Sequence, residues 1–136
     1  HFEFFRLTQA RKNLGEVGEF VGLEVNMRPA GGYTPDMMNF AHNADVYEIW
    51  AEMVAHNERR LPDIGGDQYC AYASRKDIHQ YNHSHEEVLA KYGSCMKMCE
   101  RMPDVLSGAM GNQMYMAIFP TEEEMNQFYA DAVRCW

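Results

Sequence analysis

The tract Glu24-Val25-Asn26-Met27-Arg28, followed at once by Pro29-Ala30-Gly31-Gly32, constrains this chain more than any other. It alternates polar and apolar residues, the pattern of a strand whose successive side chains face opposite ways. Glu24, Asn26 and Arg28 are then expected on one face. Leu23, Val25 and Met27 are expected on the other, turned into a core. Pro29 lacks an N–H and stops a hydrogen-bonded ladder. Two glycines after it let the backbone approach a ligand closely. A carboxylate beside an amide oxygen is a hard-oxygen set suited to Mg²⁺. An arginine next to them suits a phosphate. The combination points to nucleotide–metal chemistry.

The 136 residues suffice for one ordinary domain or two small lobes, and 46% hydrophobic content can supply a core. A net charge of −8 with no lysine–arginine cluster argues against a nucleic-acid partner. No apolar run reaches the length of a membrane span, and the opening residues do not read as a signal peptide. Cys70, Cys95, Cys99 and Cys135 include no two-residue-gap pair of the zinc or redox type. They are read as reduced thiols of a cytoplasmic protein, with a pairing of distant cysteines left open. His1-Phe2-Glu3-Phe4-Phe5 reads as a buried strand entered without an approach segment, as in a fragment of a longer protein.

Residues 1–7 and 18–28 pair in this reading as an antiparallel hairpin across a polar connection over 8–17. His1, Glu3 and Phe5 share a face of the first strand; Gly22, Glu24, Asn26 and Arg28 share one of the second. If those faces coincide, Glu3 lies beside Glu24 or Asn26. Two facing carboxylates repel unless a cation sits between them. Thr34, Pro35 and Asp36 read as the start of a helix, with Thr34 as its cap. A second helix begins at Asp45, with Glu48 completing a capping box and Tyr47, Trp50, Ala51 and Val54 as its apolar stripe. Leu61 to Asp67 is a turn-rich break and the best internal boundary.

The remainder reads as a small α+β unit. Tyr69–Ser74, Cys95–Met102 and Gln113–Phe119 are its strands. Met96, Met98 and Met102 are expected on one face of the middle strand. Ser84 with Glu87 forms a capping box, Gly93 ends that helix, and Thr121 with Glu124 caps a last one. The last helix carries Met125, Phe128, Tyr129, Ala132, Val133 and Trp136 as an apolar stripe. That stripe is read as core, with part of it, ending at Trp136, available for a homo-oligomer contact. Eleven methionines read as core filler rather than a soft-metal surface. His79, His83 and His85 read as a solvated loop rather than a metal set.

Phe2-Glu3-Phe4, the hairpin connection, Leu23 to Pro29 and then Gly31-Gly32 together resemble the C-terminal part of the ATP-grasp ligase fold. Within it the likeness is to the carbamoyl-phosphate-synthase large-subunit and biotin-carboxylase branch. The clear likeness covers about the first third of the chain. It implies an α+β fold: an antiparallel-sheet C-terminal half of the catalytic domain over 1–66, and a small α+β lobe over 67–136. It implies that Glu3, Glu24 and Asn26 hold Mg²⁺, with Mn²⁺ as a substitute, and so bind ATP. Arg28 would contact phosphate or the activated carboxylate, and Gly31, Gly32 and Thr34 would form a substrate-facing loop. The implied activity is ATP-dependent ligation of a small carboxylate to an amine through an acyl-phosphate. The adenine-binding segment, the glycine-rich lid and the upstream lysines of such ligases are not in this sequence. Turnover is therefore expected only together with a missing N-terminal part of the same protein. The rivals are a non-catalytic binding or regulatory module on the same fold, and a structural α+β domain without nucleotide chemistry.

Overall fold

Residues 113–119, Gln-Met-Tyr-Met-Ala-Ile-Phe, are apolar at every position after the first, so as a strand they need a covering layer on both faces. A computed structural model, which describes residues 1–58, 60 and 65–136, supplies both. The elements in chain order are β1 (Phe2–Arg6), β2 (Phe20–Val25), α1 (Thr34–His42), α2 (Val46–His56), β3 (Tyr69–Arg75), α3 (His85–Tyr92), β4 (Met96–Arg101), α4 (Asp104–Met110), β5 (Gln113–Phe119) and α5 (Glu122–Val133). The fold of the described residues is mixed α+β. β1 and β2 form a two-stranded antiparallel sheet; β3, β5 and β4, in that spatial order, form a three-stranded one.

β5 is central, and its alternation divides the core. Tyr115, Ala117 and Phe119 face α3 and α5, where they pack with Val88, Tyr92, Phe128 and Ala132. Met114 and Met116 face the other way and pack with Met102 and with Tyr33, Met37 and Phe40 of the α1 segment. Ala71 and Ala73 of β3 lie on the α5 side; Cys70 and Tyr72 lie on the α1 side. The small alanines let α5 approach the sheet closely, and Phe128 fills the space against Tyr92 and Phe119 at ring separations of 5.1 and 5.2 Å.

Local signals explain most helix ends. Ser84 and Glu87 form a reciprocal capping box, and Gly93 ends α3 before a short 3₁₀ turn. Thr121 accepts from the Glu124 N–H at the start of α5. Asp45 accepts from the N–H groups of Tyr47 and Glu48. Thr34 is not a cap: α1 already begins there, preceded by Tyr33 with no side-chain cap bond, and Pro35 stands in its first turn.

Several expectations are corrected. β1 and β2 pair antiparallel as expected, but the strands are not buried. Phe2, Phe4 and Phe5 are exposed, as are Leu23, Val25 and Met27, the last at 90%. A two-stranded ribbon has no layer of its own to bury either face. A bulge sits between Glu3 and Phe4, so Glu3 opposes Glu24 while Phe4 opposes Gly22. That removes Gly22 from the face carrying Glu24. A second bulge between Met96 and Met98 sends Met96 to the α5 side and Met98 to the α1 side. No residue of α2 is buried: Val46, Ile49, Trp50 and Met53 border an apolar pocket, yet Trp50 and Met53 are exposed, as are Tyr47 and Val54 of the expected stripe. On α5 the fully buried stripe ends at Ala132: Val133 is 39% exposed and Trp136, past the helix, is 89% exposed. Of the expected boundary over 61–67, residues 61–64 lie outside the described residues.

Candidate functional site

The hairpin brings three of the expected site residues together. Glu3 and Glu24 are direct cross-strand partners. The His1 imidazole Nε2 stands 3.0 Å from Glu3 Oε1 and 3.3 Å from Asn26 Nδ2. The same Asn26 amide donates to Glu24 Oε1. The contacts run Glu3–His1–Asn26–Glu24, so both carboxylates lie on one side of the ribbon. Like charges placed directly opposite are unfavourable, and here an imidazole and an amide stand between them. The His1 backbone nitrogen lies 2.6 Å from Asn26 O and 2.9 Å from Arg28 O. Both acids border an open depression of about 460 Å³.

Arg28 is not part of that row. β2 ends at Val25, and the Arg28 guanidinium folds back to donate to Pro29 O at 3.0 Å. Approaching Pro29 releases the backbone from the ladder, so the alternation that would align Arg28 with Glu24 lapses. Arg28 instead borders an apolar pocket of about 380 Å³ between the 29–30 turn, α1 and α2, with His1 at its edge and Ile49, Trp50 and Met53 in its wall. Gly31, Gly32 and Thr34 border a third depression, about 270 Å³, with Tyr33, Tyr72 and Met110. Gly32 has φ +62°, a conformation that favours glycine.

Among the described residues, no three or more His, Cys, Asp or Glu side chains are grouped so as to hold a metal ion. The expected set, Glu3, Glu24 and Asn26, comprises two carboxylates and one amide, and that amide faces Glu24 through its nitrogen. All four cysteines are free thiols. Burial pushes Cys70 up to about 11, which keeps it a protonated, unreactive thiol. No helix of the described residues is long and apolar enough to cross a membrane. No protein family, curated protein or solved structure matches the chain, so these comparisons lend the ATP-grasp resemblance no support.

Two charged groups escaped the reading of the sequence. Asp131 is 8% exposed and accepts from Lys91 Nζ at 2.6 Å, Tyr92 Oη at 2.7 Å and Gln127 Nε2 at 2.8 Å. Burial pushes its carboxyl up, but these hydrogen bonds outweigh it and hold the group below the usual carboxylate range. Its position three after Phe128 and one before Ala132 already placed an acid on the buried side of α5. The other is Arg75, 6% exposed, which continues the inward row Ala71–Ala73 of β3. His85 was read as part of a solvated loop, yet it opens α3 and lies 2.8 Å from the Tyr115 hydroxyl through Nδ1.

Proposed function

We propose that the chain supplies the metal-holding strands of an ATP-dependent carboxylate–amine ligase of the carbamoyl-phosphate-synthase-like ATP-grasp kind. Residues 1–66 would belong to its catalytic domain and 67–136 to a small C-terminal lobe. The supporting observation is the cross-strand placement of Glu3 opposite Glu24, with Asn26 against Glu24. Glu3 and Glu24 would hold Mg²⁺, and Asn26 would complete the set while limiting its negative charge. Mg²⁺ bound there would offset charge on the β- and γ-phosphates as the phosphoryl group moves to a carboxylate. Arg28, freed from Pro29 O, would clamp phosphate or the activated carboxylate. It cannot act as a base, because a guanidinium does not give up its proton in proteins. The apolar pocket beside Arg28 offers the substrate a non-polar seat. Turnover would need a nucleotide lid that these residues do not include.

The second reading is a module that binds without catalysing: among the described residues no three His, Cys, Asp or Glu side chains are grouped to hold a metal ion. Calorimetric titration of ATP into the full-length protein, with and without Mg²⁺, tests the metal assignment, and ATP-dependent product formation from a carboxylate and an amine separates ligase from module. Mg²⁺-dependent binding lost in Glu24→Ala is the expected result. Binding unchanged by that substitution would remove the metal assignment.

A further inference from the structure

The end of the three-stranded sheet carries a second cleft, unrelated to the hairpin. Its floor follows from register. Arg75 of β3 and Arg101 of β4 both pair with Gln113 of β5, so the three form one row across the sheet. The row lies just past the last turn of α5 and beside the first residue of α3. It bounds a cleft of about 640 Å³, a size suited to a small organic molecule.

Arg75 is held rigidly there. Its Nε donates to Ala132 O at 2.5 Å and its Nη2 to Asp131 O at 3.3 Å, both carbonyls in the last turn of α5. Its guanidinium lies 4.6 Å from the Tyr81 ring centroid and 5.5 Å from that of Tyr115. Among the described residues Nη1 has no hydrogen-bond partner, and no buried side-chain nitrogen or oxygen is left unpaired. Nη1 is therefore reached by solvent, and Arg75 borders the cleft. The side chain is immobilised at two donors and keeps the remaining amino group without a hydrogen-bond partner among the described residues. Such preorganisation lowers the entropy cost of binding.

The charge balance of the lining runs against that of the whole chain. Arg75, Lys76 and Arg101 face a single acid, Asp77, within a protein of net charge −8. Asp77 is engaged with Arg101 in a two-pronged pair at 2.8 and 2.5 Å, at the exposed rim. The hydrogen bond from Arg101 holds the Asp77 carboxyl below its usual range, so Asp77 is the built-in anion of the rim. Tyr81 and His79 supply aromatic surface for the body of a ligand, while the fully buried Tyr115 ring backs the Arg75 guanidinium from below. The Tyr81 hydroxyl accepts from the Lys76 N–H at 2.8 Å and fixes that wall.

We propose that this cleft binds a small organic oxyanion, a carboxylate or phosphate ester, with Arg75 at the floor and Arg101 at the rim as the anion-binding pair. Asp77 competes with the ligand for Arg101. Arg101 and Asp77 are exposed, so their substitution leaves the core intact, whereas loss of Arg75 also frees the end of α5. The test follows amide and side-chain shifts of Gln113 and the Tyr115 backbone by NMR during titration with inorganic phosphate and, separately, with succinate, at low ionic strength. Saturable shifts confined to the cleft are expected for at least one probe, and the tighter one distinguishes phosphate from carboxylate. Arg101→Gln is expected to weaken binding by about tenfold or more, as for loss of a charged hydrogen-bond donor. Asp77→Asn, which releases Arg101, is expected to tighten it. Absence of saturation by both probes, or affinities unmoved by Arg101→Gln and Asp77→Asn alike, would overturn the proposal.

Discussion

β5 and the β1–β2 ribbon are both built from antiparallel pairing and alternating side chains, yet they are buried very differently. In β5, Met114 to Ala117 have no exposed surface, because α3 and α5 cover one face and the α1 segment covers the other. In β1 every residue is exposed, although Phe2 stacks on Phe4 and Phe20 meets Phe4 edge to face. Pairing alone satisfies backbone groups; it does not remove apolar area from water. Apolar burial is thus concentrated in the C-terminal sheet, and the ribbon contributes little of it. The candidate carboxylate pair sits on the ribbon, whereas the anion cleft sits on the rigid sheet.

Phe128→Ala should give the largest effect, because it empties the contact among Tyr92, Phe119 and Tyr129. A loss of about 3–5 kcal/mol in chemical denaturation is expected. Asp131→Asn should follow at about 2 kcal/mol, since three donors lose a charged acceptor. Its pH dependence has a defined sign. The folded carboxyl is held below its ordinary range, so its contribution is present above about pH 4 and is lost as pH falls through the folded value. Asp131→Asn should therefore flatten the acid limb of a stability–pH profile and leave the neutral limb parallel. Phe4→Ala on the ribbon should change stability least, by about 0.5 kcal/mol or less, because Phe4 is 57% exposed. A Phe4→Ala cost near that of Phe128→Ala would erase the contrast between the two regions.

The two regions also differ in how much of them was legible in sequence. Gln113–Phe119 was read with both ends correct, because apolar residues on both faces flanked by Gly111 and Pro120 leave little alternative. The Ser84–Glu87 box was legible because both bonds are local. Hairpin pairing narrows the neighbour of Glu3 to Glu24 or Asn26; the register that selects Glu24 depends on where the bulge falls, which the sequence does not mark. Exposure of the ribbon was not, for alternation marks faces without saying whether a layer covers them. The place of Arg28 was lost because pairing stops before Pro29. Arg75 was missed because its partner carbonyl lies 57 residues away on α5. The side of α2 that lines the apolar pocket shares Trp50 with the expected stripe but adds Val46, Ile49 and Met53, because α1 and the Pro29-Ala30 segment lie against that side.

Paramagnetic broadening by Mn²⁺ tests the central assignment most directly, since it reports where a hard divalent ion settles without requiring turnover. On substoichiometric addition, loss of amide signal is expected at Glu3, Glu24 and Asn26, sparing β3, β5 and α5, and it should disappear in Glu24→Gln. Broadening centred elsewhere, such as at His83, Glu87 and Asp131, or broadening of the ribbon that persists in Glu24→Gln, would contradict the assignment.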